Sequence, residues 1–346
     1  MKPSKILIIH TAFIGDIILA TPLIDALAKS FGAAQISFLT IPPSVNLIET
    51  HPAIHEVIVF DKRGGDKGLS GLLKIAGRLK DASYDLCICP HRSFRSAYLA
   101  YRTGAEKRIG FRNTAWRGAF TDLVRYRSEI HEIERNLSLL QPLGIETALK
   151  RPSLFPDDED MTRVEQVIEN IDTGQNKGLF ALAPGSVWPT KRWPERYYAQ
   201  FCRKLAENDW QPVLIGSLSD HPLCEAIART AGYGLNFAGK FTLRQTGYLL
   251  TKCSGLLTND SAPLHMGMAF DIPVFAIFGP TVPAFGFGPF GPKGFVIERK
   301  DVLCRPCTIH GGNKCPVKTF ECMELISADE VFRKVELYFA NETDGM

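Results

Sequence analysis

The chain has 346 residues, of which 45% are hydrophobic and 22% are charged, and these values exclude a disordered or low-complexity protein. Its length exceeds that of one ordinary domain and indicates two. No run of about 18 apolar residues occurs and the first residues lack a small-residue cleavage site, so we expect no transmembrane helix, no signal peptide and a cytoplasmic protein.

Charge is distributed unevenly along the chain. The formal net charge is +3, but residues 1–150 contain 20 Lys and Arg against 14 Asp and Glu, whereas the remainder contains 20 against 23. A basic half indicates a surface that meets an anionic partner. Ordinary scatter of surface charge gives the same count, so both explanations stay open at this point.

Short apolar runs alternate with amphipathic stretches in both halves of the chain. The first half contains the strand candidates KILIIH, QISFLT, EVIVFD, DLCICP and KRIGF, separated by helical patterns such as DIILATPLIDALAKSF. The second half repeats this rhythm with GLFALAP, QPVLIG, GLNFAG, GLLTND and PVFAIFG. Strands and helices that alternate at this spacing predict an α/β fold with two Rossmann-like domains and parallel sheets.

The alternation is interrupted between Gln141 and Lys177, where three prolines and an acidic cluster occur. A helix is predicted there from about Asp157 to Ile171, and Ser327 is a plausible N-cap of the last helix. The expected organisation is an N-terminal domain at 1–150, a linker region at 151–176, a C-terminal domain at 177–326 and a terminal helix at 327–346.

Ligands of open parallel sheets bind where the strands end, so the residues after each apolar run are the candidate site. The first such stretch, HTAFIGD, ends in Asp16 behind a single glycine. It lacks the G-x-G-x-x-G pattern of a dinucleotide-binding loop. A carboxylate here suits the removal of a proton from an uncharged hydroxyl. The alternative is that Asp16 only caps the helix, a position that aspartate favours.

Two later stretches carry groups that suit phosphate. The loop GSVWPTKRWP supplies Ser186, Thr190 and Lys191 after a strand, although it also fits a surface loop packed over tryptophans. The stretch TNDSAPLHMGMA opens a helix whose N–H groups can bind phosphate with help from the Ser261 hydroxyl. His265, one turn further on, is either a ligand or a core histidine.

Taken together, these stretches resemble the bacterial ADP-heptose:lipopolysaccharide heptosyltransferases of glycosyltransferase family 9, and look most like the heptosyltransferase II branch. The resemblance is carried by GD in HTAFIGDIILATP, APG…KRWP at residues 183–194, TNDSAPLHMGMA and PVFAIFGPT at residues 273–281, and it spans nearly the whole chain. It implies a GT-B fold, in which two Rossmann-like domains with parallel sheets face a central cleft. It also implies inversion of the anomeric centre and no metal requirement for catalysis.

The resemblance implies a role for individual residues. Asp16 matches the family's proposed general base, and Lys191 matches its phosphate-contacting lysine. Asp220 falls near an acidic residue that the family directs toward the donor's ribose. Many members have glycine where this chain has Ala262, which leaves the amide available but crowds the approach. The expected donor-binding residues are Ser186, Thr190, Lys191, Asp220, Asp260, Ser261, Ala262 and His265.

The resemblance also implies the partners, which are ADP-heptose as donor and phosphorylated lipid A with inner-core sugars as acceptor. Such an acceptor is a polyanion at the cytoplasmic face of the inner membrane, so we expect peripheral membrane contact and no nucleic acid. The basic charge of residues 1–150 fits this acceptor, and the candidate contacts are Arg92, Arg95, Arg108 and Arg112. Two alternatives remain: a different glycan or protein acceptor, or a nucleotide-sugar-binding module without turnover.

Four of the nine cysteines, Cys304, Cys307, Cys315 and Cys322, fall close together in what we call the cysteine segment, residues 304–322. Four thiolates with a close first pair can form a tetrahedral zinc or iron site. Free thiols are the main alternative, because a reducing cytoplasm disfavours disulfides. A metal there would be structural, and we expect the segment to lie at a distance from the donor-binding loops.

Overall fold

The computed structural model describes residues 2–148, 150–169, 171 and 177–343. The chain divides into two compact units, Met1–Phe155 and Pro156–Met346. Each unit is built on its own parallel sheet of six strands, which confirms the predicted α/β class with two Rossmann-like sheets. Among the helices in the described ranges, none is long and apolar enough to span a membrane.

The sheet of the first unit contains strands β1 (Lys5–Ile9), β2 (Gln35–Thr40), β3 (Ile54–Val59), β4 (Leu86–Cys89), β5 (Lys107–Phe111) and β6 (Asp122–Val124). All are parallel and their order is β3-β2-β1-β4-β5-β6. The first five correspond to the predicted apolar runs. The sixth was not predicted, because three residues are too few to show a pattern.

The helices of the first unit are α1 (Ile14–Ile18), α2 (Thr21–Ser30), α3 (Val45–Ile48), α4 (Gly68–Asp81), α5 (Phe94–Arg102) and α6 (Glu132–Ser138). The long helix predicted after β1 is in fact two helices. Pro22 stands in the first turn of α2, where its missing N–H is harmless, but a continuous helix would need that N–H as a donor. The break leaves α1 as a short turn that carries Asp16.

The second unit repeats the design with strands β7 (Leu179–Ala183), β8 (Gln211–Leu214), β9 (Leu235–Asn236), β10 (Cys253–Asn259), β11 (Val274–Phe278) and β12 (Gly294–Glu298). Its order is β9-β8-β7-β10-β11-β12, again all parallel. Strand β12 was not predicted, because it follows a stretch rich in glycine and proline. Both sheets therefore have the same topology.

The helices of the second unit are α7 (Asp158–Ile168), α8 (Glu195–Glu207), α9 (His221–Ala231), α10 (Leu243–Thr251), α11 (Ala262–Ala269), α12 (Glu321–Glu324) and α13 (Ala328–Thr343). Buried Arg244 of α10 donates to the carboxylates of Asp157 and Asp160, and this fastens α7 to the second unit. Ser327 Oγ accepts a hydrogen bond from Glu330 N at 3.2 Å, which confirms the predicted N-cap. Of the expected linker and terminal helix, residues 170, 172–176 and 344–346 lie outside the described residues.

The point at which the strand order reverses determines where a ligand can bind. It lies between β1 and β4 in the first sheet and between β7 and β10 in the second. The crevice outside the carboxyl ends of such strands is the usual ligand site of open α/β sheets. We call the side of each sheet at which its strands end the carboxyl edge, and we expect a ligand to bind there.

Candidate active site

Asp16 lies in the first turn of α1, directly after β1 at the reversal point of the first sheet. Its side chain is half-buried, and Oδ2 accepts a hydrogen bond from the Phe13 N–H at 3.1 Å. The carboxylate therefore does cap the start of the helix. This capping contact is compatible with a chemical role, which depends on the groups around the carboxylate.

A second carboxyl group, that of Glu132 in α6, is close enough to be affected by the charge of Asp16. Its side chain is buried. Burial is the larger cause, and the negative charge of Asp16 the next, of a pKa of Glu132 that is raised to about 7. Arg135 opposes this shift by donating from Nη1 to Glu132 Oε2 at 2.8 Å. Asn136 Nδ2 donates to the Leu19 carbonyl at 3.2 Å, which ties α6 to the end of α1.

Three of the four predicted acceptor arginines share the carboxyl edge of the first sheet. Arg92 follows β4 and Arg112 follows β5, and both are exposed, as is Arg95 in the first turn of α5. The loops after β4 and β5 are in contact, because the Ala115 N–H donates to the Arg92 carbonyl at 3.0 Å. The Arg92 guanidinium lies 4.2 Å from the ring centre of Tyr126.

Arg108 has different surroundings. It is the second residue of β5 and so lies near the beginning of that strand. Its guanidinium donates to the carbonyls of Ala119, at 2.8 Å, and Ala105. These contacts hold the first unit together, and an acceptor role for Arg108 stays a prediction without geometric support.

Two histidines stand at the reversal point of the first sheet. His10, which follows β1, is fully buried, and its pKa is lowered to about 3 by burial and by the nearby His91 and Lys62. Burial and neighbouring cations lower the pKa of His91 to about 4. His91 Nδ1 lies 3.0 Å from Thr11 Oγ1 and 2.8 Å from Ser96 Oγ, and Lys62 Nζ donates to the Thr11 carbonyl at 2.7 Å. Both rings are therefore neutral at pH 7, and the contacts of His91 and Lys62 with Thr11 hold the loop that leads to Asp16.

In the second unit, three loops of the carboxyl edge converge on one carboxylate. Lys191, in the loop after β7, places Nζ 2.6 Å from Oδ2 of Asp260, the residue after β10. Thr281, in the loop after β11, donates from Oγ1 to the same oxygen at 2.7 Å. The side chains of Lys191 and Asp260 are only 12% and 8% exposed, so this is a largely buried ion pair at the reversal point.

The adjoining backbone is held by Asn259. Its Oδ1 accepts from Trp193 N at 3.0 Å and its Nδ2 donates to the Pro184 carbonyl at 2.9 Å, which fastens the loop after β7 to the end of β10. Ser261 is the N-cap of α11, and the first N–H groups of a helix have no acceptor within it. Ala262 follows with a small side chain. His265 is a residue of α11, and its side chain is buried.

Asp220 is brought to the same edge. An added Cβ on Gly185, in the loop after β7, would lie only 2.4 Å from Asp220 Oδ1, so the loops after β7 and β8 are in contact there. Asp220 Oδ2 accepts from Ser217 N at 2.9 Å and from Ser217 Oγ at 2.6 Å. Ser186 Oγ accepts from Trp188 N at 3.3 Å and remains partly exposed on this loop.

A sequence model of glycosyltransferase family 9 (heptosyltransferase) matches residues 72–312, more than half of the chain. The chain belongs to glycosyltransferase family 9. It is 27% identical over 306 residues to lipopolysaccharide heptosyltransferase 2 of Escherichia coli K12, covering 85% of this chain and 88% of that protein.

Solved structures agree with this assignment at the level of the fold. The family 9 glycosyltransferase of Veillonella parvula gives a TM-score of 0.86 at 23% identity, over 96% of both chains. The ADP-heptose lps heptosyltransferase II of E. coli gives 0.79 at 22% identity, over 98% of this chain and 99% of that one. The predicted GT-B fold and the resemblance drawn from the four motifs are confirmed, and the chain is a glycosyltransferase.

The cysteine segment of this family 9 glycosyltransferase packs on the predicted donor-binding loops, and the expectation that it lies at a distance from them is wrong. Thr190 Oγ1 and the Gly312 backbone exchange hydrogen bonds of 2.9 and 2.8 Å. Cys307 N donates to the Pro280 carbonyl at 2.9 Å. Gly311 has a φ of +90°, and a Cβ there would lie 3.1 Å from Cγ of Lys191. The hydroxyl of Thr190 thus holds the segment.

All four cysteines line one small cavity together with Thr190, Pro280 and Phe320. Burial and the neighbouring thiols raise the pKa of Cys322 to about 11. Within the described part of the chain, no three His, Cys, Asp or Glu side chains are arranged to hold a metal ion. The zinc or iron site therefore stays a prediction.

Sequence reasoning missed Glu132, Arg135, His91 and Lys62. The FGPT loop that ends at Thr281 was a sequence candidate, because it follows a predicted strand, and Thr281 does reach Asp260. The stretch HEIERN resembles an ordinary charged helix start, and nothing local indicates that its first glutamate is buried near Asp16. That proximity arises from the packing of α6 near α1 and α2.

Proposed function

We propose that this family 9 glycosyltransferase moves heptose from ADP-heptose to the inner core of a lipopolysaccharide, with inversion of the anomeric centre and with Asp16 as general base. The observation that carries the proposal is the half-buried carboxylate of Asp16 at the reversal point of the first sheet, beside a second carboxyl group. The similarity to lipopolysaccharide heptosyltransferase 2 supports the choice of donor and acceptor.

The first step is the activation of the acceptor. A sugar hydroxyl is a weak nucleophile until its proton is removed, and a carboxylate aimed at it can accept that proton. The hydroxyl oxygen then forms a bond to the anomeric carbon while the bond from that carbon to the phosphate oxygen breaks. ADP leaves with the electron pair. A single displacement of this kind inverts the anomeric centre.

The second unit supplies the groups that suit the leaving ADP. Lys191 is a fixed cation held by Asp260, and the start of α11 at Ser261 presents backbone N–H groups with the positive end of a helix dipole. Both stabilise the negative charge that develops on the diphosphate. The carboxylates of Asp260 and Asp220 accept hydrogen bonds only, so they suit hydroxyls of the heptose and of the ribose.

The exposed arginines of the first unit suit the acceptor. Arg92, Arg95 and Arg112 gather where β4 and β5 end, and guanidinium groups bind phosphate in a bidentate fashion. A phosphorylated lipid A with inner-core sugars offers that chemistry. We accordingly propose that the enzyme works in peripheral contact with the cytoplasmic face of the inner membrane.

The deciding experiment is incubation of the full chain with ADP-heptose and a set of truncated lipopolysaccharide acceptors, followed by mass spectrometry. Addition of one heptose to one acceptor, with release of ADP and with the inverted anomer by NMR, is the expected result. Turnover should persist with a chelator present, because no step requires a metal. Transfer only to another glycan or to a protein would establish the first alternative acceptor class. Tight ADP-heptose binding without any transfer would establish the binding module.

A further inference from the structure

We propose that the first unit docks on an anionic lipid bilayer through a group of exposed aromatic side chains that begins at its carboxyl edge. We call this group, which consists of Phe94, Tyr101 and Trp116, the aromatic surface. The inference rests on the proposed function, in which the acceptor is anchored in a membrane. It deepens that function by naming the residues that contact the lipid itself.

The three rings of the aromatic surface form one contiguous group on α5 and on the loop after β5. The ring centres of Phe94 and Trp116 are 5.8 Å apart, and those of Tyr101 and Trp116 are 5.1 Å apart. Phe94 is 56% exposed and Tyr101 is 48% exposed, whereas Trp116, which contacts both, is half-buried. Because Phe94 and Tyr101 lie at the two ends of α5, the surface extends along about 10 Å of this helix.

Helix α5 directs its aromatic side chains outward and its smaller side chains inward. Ala97, Leu99 and Ala100 are completely buried in the core of the first unit. Phe94 and Tyr101 stand on the solvent side of the same helix. The folded core therefore does not require these two rings, and contiguous exposed apolar groups usually mark an interaction surface.

The chain around the aromatic surface is strongly basic. Residues 91–127 contain nine Lys and Arg against two Asp and Glu, a difference of +7. Arg92, Arg112 and Arg117 are exposed there. Arg117 Nε donates to the Arg112 carbonyl at 2.6 Å, and the Ala115 N–H donates to the Arg92 carbonyl at 3.0 Å. These bonds hold the arginines on the same two loops that carry the rings.

Rings and cations in this combination match the surface of an anionic bilayer. Tyrosine and tryptophan favour the headgroup region of a membrane, and negative headgroups attract arginine. A second copy of the chain would bring the same positive charge to a symmetric interface, so repulsion disfavours a dimer here. The length of the aromatic surface also exceeds that of a single sugar ring. A lipid surface fits both the charge and the extent.

The position of the aromatic surface connects it to the proposed base. Phe94 is the first residue of α5, and Ser96 Oγ in the same turn lies 3.3 Å from Thr11 Oγ1. Thr11 belongs to the loop after β1 that leads to Asp16. A bilayer on this surface keeps a membrane-anchored acceptor near Asp16 and raises its effective concentration there.

The direct test is sedimentation of the full chain with vesicles in the absence of both substrates. Wild type should bind vesicles of equal parts phosphatidylcholine and phosphatidylglycerol, and it should bind weakly to phosphatidylcholine alone or at high salt. Phe94→Ala/Tyr101→Ala should bind the anionic vesicles about 10- to 100-fold more weakly, because two exposed rings no longer enter the lipid. Its melting temperature should be unchanged.

The matched control removes two side chains of similar exposure from the second unit. Tyr233 is 51% exposed and Leu337 is 57% exposed, and Tyr233→Ala/Leu337→Ala should bind the vesicles like wild type. Equal vesicle affinity of the two double variants would overturn the inference. So would a wild type that binds inorganic phosphate or a single-stranded oligonucleotide but no anionic vesicle.

Fluorescence quenching locates the contact on the molecule. Vesicles whose acyl chains carry bromine should quench the tryptophan fluorescence of wild type. Trp116→Phe keeps an aromatic ring and should still bind the vesicles, but it should lose most of this quenching. Undiminished quenching in Trp116→Phe would show that another surface of the chain contacts the lipid, and the inference would be wrong.

A kinetic comparison separates lipid docking from recognition of the acceptor's sugars. On a de-acylated, water-soluble acceptor, Phe94→Ala/Tyr101→Ala should keep the wild-type kcat/KM. On the same acceptor embedded in vesicles, this variant should be about 10-fold slower. An equal loss on both acceptors would mean that the rings bind sugars, which would overturn the inference. If wild type binds vesicles but transfers no heptose, the proposed function fails and the docking surface stands.

Discussion

In the first unit, Asp16 and two histidines follow the strands of the reversal point, and burial lowers the pKa of both histidines; in the second, the strands end in a fixed ion pair and a helix start. The two sheets have the same strand order and the same reversal point. Backbone topology therefore places both sites but does not determine their chemistry. The side chains at the strand ends give the first edge a carboxylate beside neutral histidines and the second edge an ion pair beside a helix start.

The largest effect is expected from removing the proposed base, Asp16. Asp16→Asn keeps the size of the side chain, so folding should persist, whereas turnover should fall about 10²- to 10⁴-fold, the usual contribution of a general base. Calorimetry should show unchanged ADP affinity. Asp81→Asn, at an exposed position of the same unit, is the control. Near wild-type turnover would leave Asp16 as a helix cap.

The corresponding change in the second unit should affect binding. Lys191→Ala removes the proposed charge-assisted contact to phosphate, so we expect about 10- to 100-fold weaker ADP binding and slower transfer. Lys204→Ala is matched, because Lys204 pairs with Asp329 on the surface at 2.6 Å. Calorimetry with ADP gives the answer. If Lys191→Ala retains the wild-type affinity for ADP, Lys191 does not bind the phosphates, and the start of α11 would be the remaining phosphate site of the second unit.

A smaller effect is expected for the exposed arginines at the carboxyl edge of the first sheet. The double variant Arg92→Ala/Arg112→Ala should raise the acceptor KM about 3- to 10-fold with kcat and ADP affinity nearly unchanged, since exposed charges contribute modestly. The salt dependence of KM should also weaken. Lys74→Ala, whose side chain is 79% exposed, is the control. An unchanged KM would mean that the acceptor binds elsewhere on the first unit.

The smallest effect concerns the cysteine segment. If it holds zinc or iron, elemental analysis of protein purified without chelator should give about one metal per chain, and its removal should lower the melting temperature by a few degrees. Because Gly311 and Gly312 contact Lys191 and Thr190, ADP affinity should also fall about 2- to 5-fold on metal removal. Four freely titrating thiols and no metal would show reduced cysteines only.

Much of the architecture could be predicted because its causes are local. Strand and helix periodicities are properties of neighbouring residues, and they predicted ten of the strands and most helices. Since parallel strands all end at one edge, the positions of Asp16, Lys191 and Asp260 after apolar runs also placed them at a site. The break before Pro22 and the short strands β6 and β12 were not predicted, because they depend on a single residue or on pairing with a neighbour.

Only the tertiary structure decided which distant residues act together. Glu132 lies near Asp16 because α6 is fastened to the end of α1, and Thr190 holds Gly312 across a separation of 122 residues. Arg92 and Arg108 look alike in the sequence, yet one is exposed at the carboxyl edge and the other is bound to backbone carbonyls. A residue's pKa and availability depend on burial and on its neighbours in space. Those neighbours are set by packing between elements, which no local pattern records.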